Sequence, residues 1–145
     1  MGTTLVAATV MNDVLRVANV GDSRLYLVND EIKQITIDHS YVEEMVRMGG
    51  LDREQARNHK NKNIITRAIG AQSVVNPDFF EVNLKSGDRI FMCTDGVSNM
   101  LTDKEILEIL NSEGTEEERI DRIVAVANEH GGRDNMGIIL VNPQL

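Results

Sequence analysis

Hydrophobic and polar positions alternate in short bursts along the first 37 residues, which predicts four brief strands. Leu5 to Met11 is apolar and rich in β-formers, Asn12-Asp13 suits a two-residue hairpin loop, and Val14 to Val20 follows. Gly21-Asp22 interrupts the pattern. Arg24 to Val28 is a third strand, Asn29-Asp30 turns again, and Ile32 to Ile37 completes an expected antiparallel meander. The period then lengthens. Val42, Met45 and Val46 have helical spacing that Gly49-Gly50 ends, and Asp52 is placed to cap a second helix reaching about His59. A polar, basic stretch from Asn58 to Asn63 leads back to apolar residues at Ile64 and Ile65.

Strand character resumes from Asp78 to Leu84, and the nearly continuous apolar run Arg89 to Thr94 reads as a buried central strand. Thr102 with Glu105, and Thr115 with Glu118, have capping-box spacing ahead of two amphipathic helices. Gly131-Gly132 stops the second, and Ile138 to Val141 forms a last strand. Helices framing antiparallel sheets place the chain in the α+β class, as one domain over residues 1–145. Its first strand is expected to lack a neighbour that a longer chain would supply.

Charge and composition remove several functions. The net charge of -8, from 23 acidic and 15 basic residues, argues against nucleic-acid and anionic-membrane binding. An acidic protein that handles phosphate needs a local positive centre, which a bound divalent cation can supply. No apolar run approaches a membrane span. The single cysteine, Cys93, lies inside an apolar strand, which favours a buried thiol over a nucleophile and points to a reducing, cytoplasmic setting.

Three aspartates stand where a strand meets a glycine-flanked bend: Asp22 after Gly21, Asp95 before Gly96, and Asp134 after Gly131-Gly132-Arg133. Short carboxylates at strand ends can point into a shared mouth and suit hard cations such as Mg²⁺ or Mn²⁺. A Gly-Asp pair is ordinarily only a turn, and that reading holds for Asp88, Asp13 and Asp30. It weakens for Asp95, because a carboxylate directly after a buried strand is costly unless paired or metal-bound.

Six segments occur in one order: Gly2-Thr3-Thr4, Val20-Gly21-Asp22-Ser23-Arg24, Asp38-His39-Ser40, Thr66-Arg67-Ala68-Ile69-Gly70, Cys93-Thr94-Asp95-Gly96-Val97 and Gly131-Gly132-Arg133-Asp134-Asn135. Together they resemble the successive motifs of the metal-dependent protein phosphatase (PPM, or protein phosphatase 2C) family, in particular its bacterial branch. The resemblance implies paired antiparallel sheets flanked by helices, and hydrolysis of phosphoserine and phosphothreonine in proteins by metal-activated water. It implies that Asp95 and Asp134 bind a first Mn²⁺ or Mg²⁺ ion, and that Asp22 with Asp95 helps hold an additional one. It also makes residues 41–63 a flap that influences substrate access.

Arg67 and Arg133 are weaker candidates for attracting phosphate, with surface or structural pairing as the alternative for both. His39 reads as a structural hydrogen bonder, and His59 and His130 as exposed flap and helix-end residues. The family's upstream arginine, acidic residue and metal-bridging aspartate have no counterpart here, and Gly137 stands where threonine is frequent. The resulting expectation is an N-terminally truncated phosphatase domain that is weak or inactive alone. The competing reading is a non-catalytic module that binds a phosphoprotein or other partner through the flap.

Overall fold

A computed structural model describes residues 1–145. The first two strands, β1 (Leu5–Met11) and β2 (Val14–Val20), form a hairpin in register from Leu5 opposite Val20 to Met11 opposite Val14. The loop residues Asn12 and Asp13 have φ of 51° and 62°, the left-handed pair that matches the twist of a tight hairpin. Next come β3 (Arg24–Val28) and β4 (Ile32–Gln34), then the helices α1 (Tyr41–Arg47) and α2 (Arg53–Arg57). The chain continues through β5 (Asp78–Asn83), β6 (Arg89–Cys93), α3 (Asp95–Ser98), α4 (Asp103–Leu110), α5 (Glu116–Glu129) and β7 (Ile138–Val141).

The expected meander is divided. β2 pairs with β5 and β3 pairs with β6, giving one sheet in the order β1-β2-β5 and another in the order β4-β3-β6-β7. The division falls at Gly21, whose φ of 113° takes the chain out of the first sheet. A Cβ there would lie 2.4 Å from Thr4 Cγ2, so glycine is required for space as well as for conformation. β4 is also shorter than its apolar pattern predicts. Past Gln34 the Leu25 N–H donates to the Thr36 hydroxyl at 3.2 Å, so a side chain takes the place of a ladder carbonyl.

The layers follow from strand alternation. Leu15 and Val17 of β2 meet Leu25 of β3 and Ile90 of β6 between the sheets. The opposite face of the second sheet presents Tyr26, Val28, Phe91 and Cys93 to Val97, Leu101, Ile106, Leu110, Ile123 and Ala127 of the helical segments. β6 is therefore covered on both faces, which explains its unbroken apolar run. Helices cover only this sheet. The outer face of β1-β2-β5 leaves Leu5 and Phe79 exposed, at 50% and 74%.

The helix starts follow the sequence signals. Thr102 and Asp52 each form a complete capping box, with Glu105 and Gln55 respectively. Thr115 accepts from Glu118 N–H without the reciprocal bond. No helix is long and apolar enough to cross a membrane.

Candidate metal and phosphate site

One end of the sandwich, beside α1 and α2, opens into a groove of about 490 Å³. Its lining includes Asp22, Asp38, Asp95 and Asp103 and, from the 41–63 segment, Arg53, Arg57 and Lys62. Asp22 sits at the β2–β3 corner that Gly21 creates. The Gly21 N–H donates to His39 Nδ1 at 2.9 Å, which leaves Nε2 to carry the ring proton and donate to Asp78 Oδ2 at 2.8 Å. His39 is buried and ties the β2–β3 corner to β5, the structural role its motif position suggested.

Asp95 is not in a bend as expected; it is the first residue of α3, directly after β6. Thr94 does not cap α3 but accepts from the Gly137 N–H at 2.9 Å. Gly96 packs so closely on the 134–135 backbone that a Cβ would sit 2.1 Å from Asn135 O. These two contacts hold the Asp134 segment against α3, within electrostatic reach of Asp95, although Asp134 does not itself line the groove. Asp134 is exposed, and its Oδ1 accepts from the Asn135 N–H at 2.7 Å.

The electrostatics record crowding of like charge. Burial pushes the Asp22 carboxyl up to about 6, and Asp95 and Asp38 reinforce the shift. Burial also raises the Asp95 carboxyl, with Asp134 the next cause. Arg24 is the cation among these groups. It grips Asp38 in a forked pair, Nη2 to Oδ2 at 2.7 Å and Nε to Oδ1 at 3.0 Å. Its Nη1 donates to Tyr26 Oη, which in turn donates to Asp103 Oδ1, each at 3.0 Å. Arg24 is thus committed to Asp38 and Tyr26, while Asp22 and Asp95 keep excess negative charge.

This donor set is tested against a divalent ion by its chemistry. No three carboxylate, imidazole or thiol groups converge tightly enough to hold an ion by themselves. Mg²⁺-type ions are commonly held by one or two carboxylates with the remaining positions filled by water and phosphate oxygen. Asp95, with Asp134 on the segment packed against α3, fits that pattern, and Asp22 lies in the field of Asp95.

Other sequence candidates are placed elsewhere. Arg67 lines a separate small cleft and donates to Asn76 O and to Asp78 Oδ1, both at 3.0 Å. Structural pairing thus accounts for it, and the structure does not bring it to the groove. Arg133 is exposed beside Asp134 and makes no ion pair. His59 is half-buried, accepting from the Asn61 N–H and packing its ring 5.9 Å from that of Tyr41. His130 is exposed, and its Nδ1 lies 2.7 Å from Met100 O at the end of α5. Burial pushes the Cys93 thiol up to about 12, which fits an inert core thiol. Sequence reasoning missed Arg24 and Asp38 as a pair, and Arg57 and Lys62 as groove residues. Their only signals were the charged positions within the recognised motifs and the basic character of residues 58–63.

Residues 1–136 match the family described as Protein phosphatase 2C, and the chain belongs to that family. It is 44% identical to the serine/threonine phosphatase stp of Listeria innocua, over 100% of this chain and 58% of that protein. It is 39% identical to the protein phosphatase PhpP of Streptococcus pneumoniae, over 98% of this chain and 58% of that protein. A crystal structure of the serine/threonine phosphatase Stp1 from Staphylococcus aureus superposes with a TM-score of 0.94 at 40% identity, covering 97% of this chain and 56% of that one. The PstP catalytic domain in complex with two manganese ions superposes with a TM-score of 0.85 at 34% identity, over 97% of this chain and 58% of that one. The chain thus spans a little over half the length of these relatives.

Proposed function

We propose that this chain carries part of the metal site and the flap of a cytoplasmic, metal-dependent hydrolase acting on phosphoserine and phosphothreonine in proteins. The observation that carries the reading is the packing of the Asp134 segment against α3, which starts with Asp95, with Asp22 in the field of Asp95 and Arg24 committed to Asp38. Asp95 and Asp134 would hold the first Mn²⁺ or Mg²⁺, and Asp22 with Asp95 an additional one. Bound there, such an ion would lower the pKa of a water it holds and offset negative charge on the phosphoryl oxygens.

The remaining work falls to the chain's own groups. Arg24 holds Asp38 and, through Tyr26, orients Asp103 along the groove wall. Residues 41–63 act as the flap, whose Arg57 and Lys62 give an approaching phosphoprotein a positive edge against the overall charge of -8. The PstP structure with two manganese ions supports Mn²⁺ as the ion to test first.

Titration calorimetry with Mn²⁺ and hydrolysis of an aryl phosphate test this together. Measurable Mn²⁺ binding that Asp95→Ala and Asp134→Ala abolish, with slow turnover by this chain alone, is the expected result. An absence of heat at millimolar Mn²⁺ would overturn the metal-site reading and favour a non-catalytic binding module. Robust turnover lost in Asp95→Ala would overturn only the expected weakness.

A further inference from the structure

α3 is four residues long and begins with Asp95, so its own hydrogen bonds cannot hold it in place. Its orientation comes from what grips its ends. The N-terminal end is held by the Asp134 side, through the Gly137 N–H on Thr94 and the close approach of Gly96 to Asn135. The C-terminal end is held by the flap. From α2, Arg57 donates through Nη1 to Ser98 O at 2.9 Å and through Nη2 to Asn99 O at 3.4 Å. Asn99 Nδ2 in turn donates to Asn63 Oδ1 at 3.2 Å, at the far end of the flap segment.

A guanidinium fork across two carbonyls at the end of a helix satisfies acceptors that the helix itself leaves open, and its charge opposes the helix dipole there. Arg57 is half-buried in the groove wall and forms no ion pair with a carboxylate, so its strongest partners are these two carbonyls. Arg53, four residues earlier, pairs with Glu43 inside the flap. The two arginines of α2 are therefore divided, with Arg53 closing the flap on itself and Arg57 fastening it to the helix that starts with Asp95.

We infer that Arg57 is a positioning residue: it latches the flap to α3 and so sets both the width of the groove and the direction of Asp95. The contact spans 41 positions in sequence, so flap closure and Asp95 geometry become one event. Its relevance to hydrolysis rests on the proposed metal site, but the latch itself is measurable without metal.

The test is peptide-level hydrogen exchange of the metal-free 145-residue chain, comparing wild type with Arg57→Ala and Arg57→Lys. Loss of a charge-assisted contact is expected to speed exchange about tenfold or more in residues 41–63 and in the peptide spanning Asp95 to Asn99. Arg57→Lys, which keeps a cationic donor but loses the fork, should fall between the two. Exchange across the α5 core around Ile123 and Ala127 should not change. Wild-type rates in both segments of Arg57→Ala would overturn the inference. Acceleration of α5 by the same factor would also overturn it, since Arg57 would then support the whole fold. Failure here leaves the metal-site reading intact, and failure to bind Mn²⁺ leaves the latch intact.

Discussion

Asp22 shows how the groove can work against the stability of the metal-free protein. Its folded carboxyl titrates at about 6 rather than 3.8, because burial and the neighbouring Asp95 and Asp38 disfavour its charge. Between those values the folded state binds more protons than the unfolded state, so stability falls as pH rises across that window. Asp95 shifts in the same direction and adds to the effect. Asp78 shifts the opposite way, through its hydrogen bond from His39 and its pairing with Arg67. Its stabilisation is lost only as pH falls below the ordinary carboxylate range, outside this window. Partial solvation of Asp22 limits its share to on the order of 1 kcal/mol. In chelator, wild type should therefore melt a few degrees higher at pH 5 than at pH 7, by about 3 °C. Asp22→Asn should raise the pH 7 midpoint and flatten the slope. Equal midpoints for the two proteins at pH 7 would mean that Asp22 is already neutralised.

The elements differ in how legible they were, and the difference follows from where their stabilisation originates. α4 was readable because Thr102 and Glu105 carry its start signal locally, and β6 because burial on both faces leaves an apolar run. α3 was not readable. Asp95-Gly96-Val97-Ser98 has poor helix propensity and an interior glycine, so the sequence around Asp95 resembles a bend. The helix forms because Gly96 permits the 134–135 backbone to close on it, a contact across about 40 positions. The forked Arg24–Asp38 pair and the Arg57 latch are non-local in the same way, so their charges were visible while their partners were not. The same reasoning makes Gly96→Ala a sharp test of this docking. The new methyl meets backbone rather than a flexible side chain, so the Asp134 segment must move, at a cost of about 1–3 kcal/mol. Melting should drop by several degrees, and Mn²⁺ affinity should fall further than the stability loss explains because Asp95 and Asp134 part. An unchanged melting temperature would show that the segment yields freely.

At the scale of the whole molecule the two sheets are unequal partners. The strand pattern fixed where strands lie but could not say that β2 and β3 belong to different sheets, since Gly21 signals only an interruption. The consequence is energetic. β6 and β3 are packed between one core shared by the sheets and another shared with the helices, with Leu25, Tyr26 and Phe91 fully buried. β1 is a sheet edge, and of its seven residues only Val6 is even partly buried. Amides open locally where little apolar burial opposes opening, and only by global unfolding where much does. Hydrogen exchange should therefore find the β1 amides at least about a hundredfold less protected than those of β6. β2, held on both sides by β1 and β5, should fall nearer to β6. The hairpin turn at Asn12-Asp13 would then act as the hinge about which β1 leaves the sheet while the groove end, with Asp22 at the β2–β3 corner and Asp95 just after β6, stays in place. Equal protection in β1 and β6 would mean that the first sheet opens only with the rest of the molecule, and that the pairing of β1 with β2 alone suffices to hold an exposed strand.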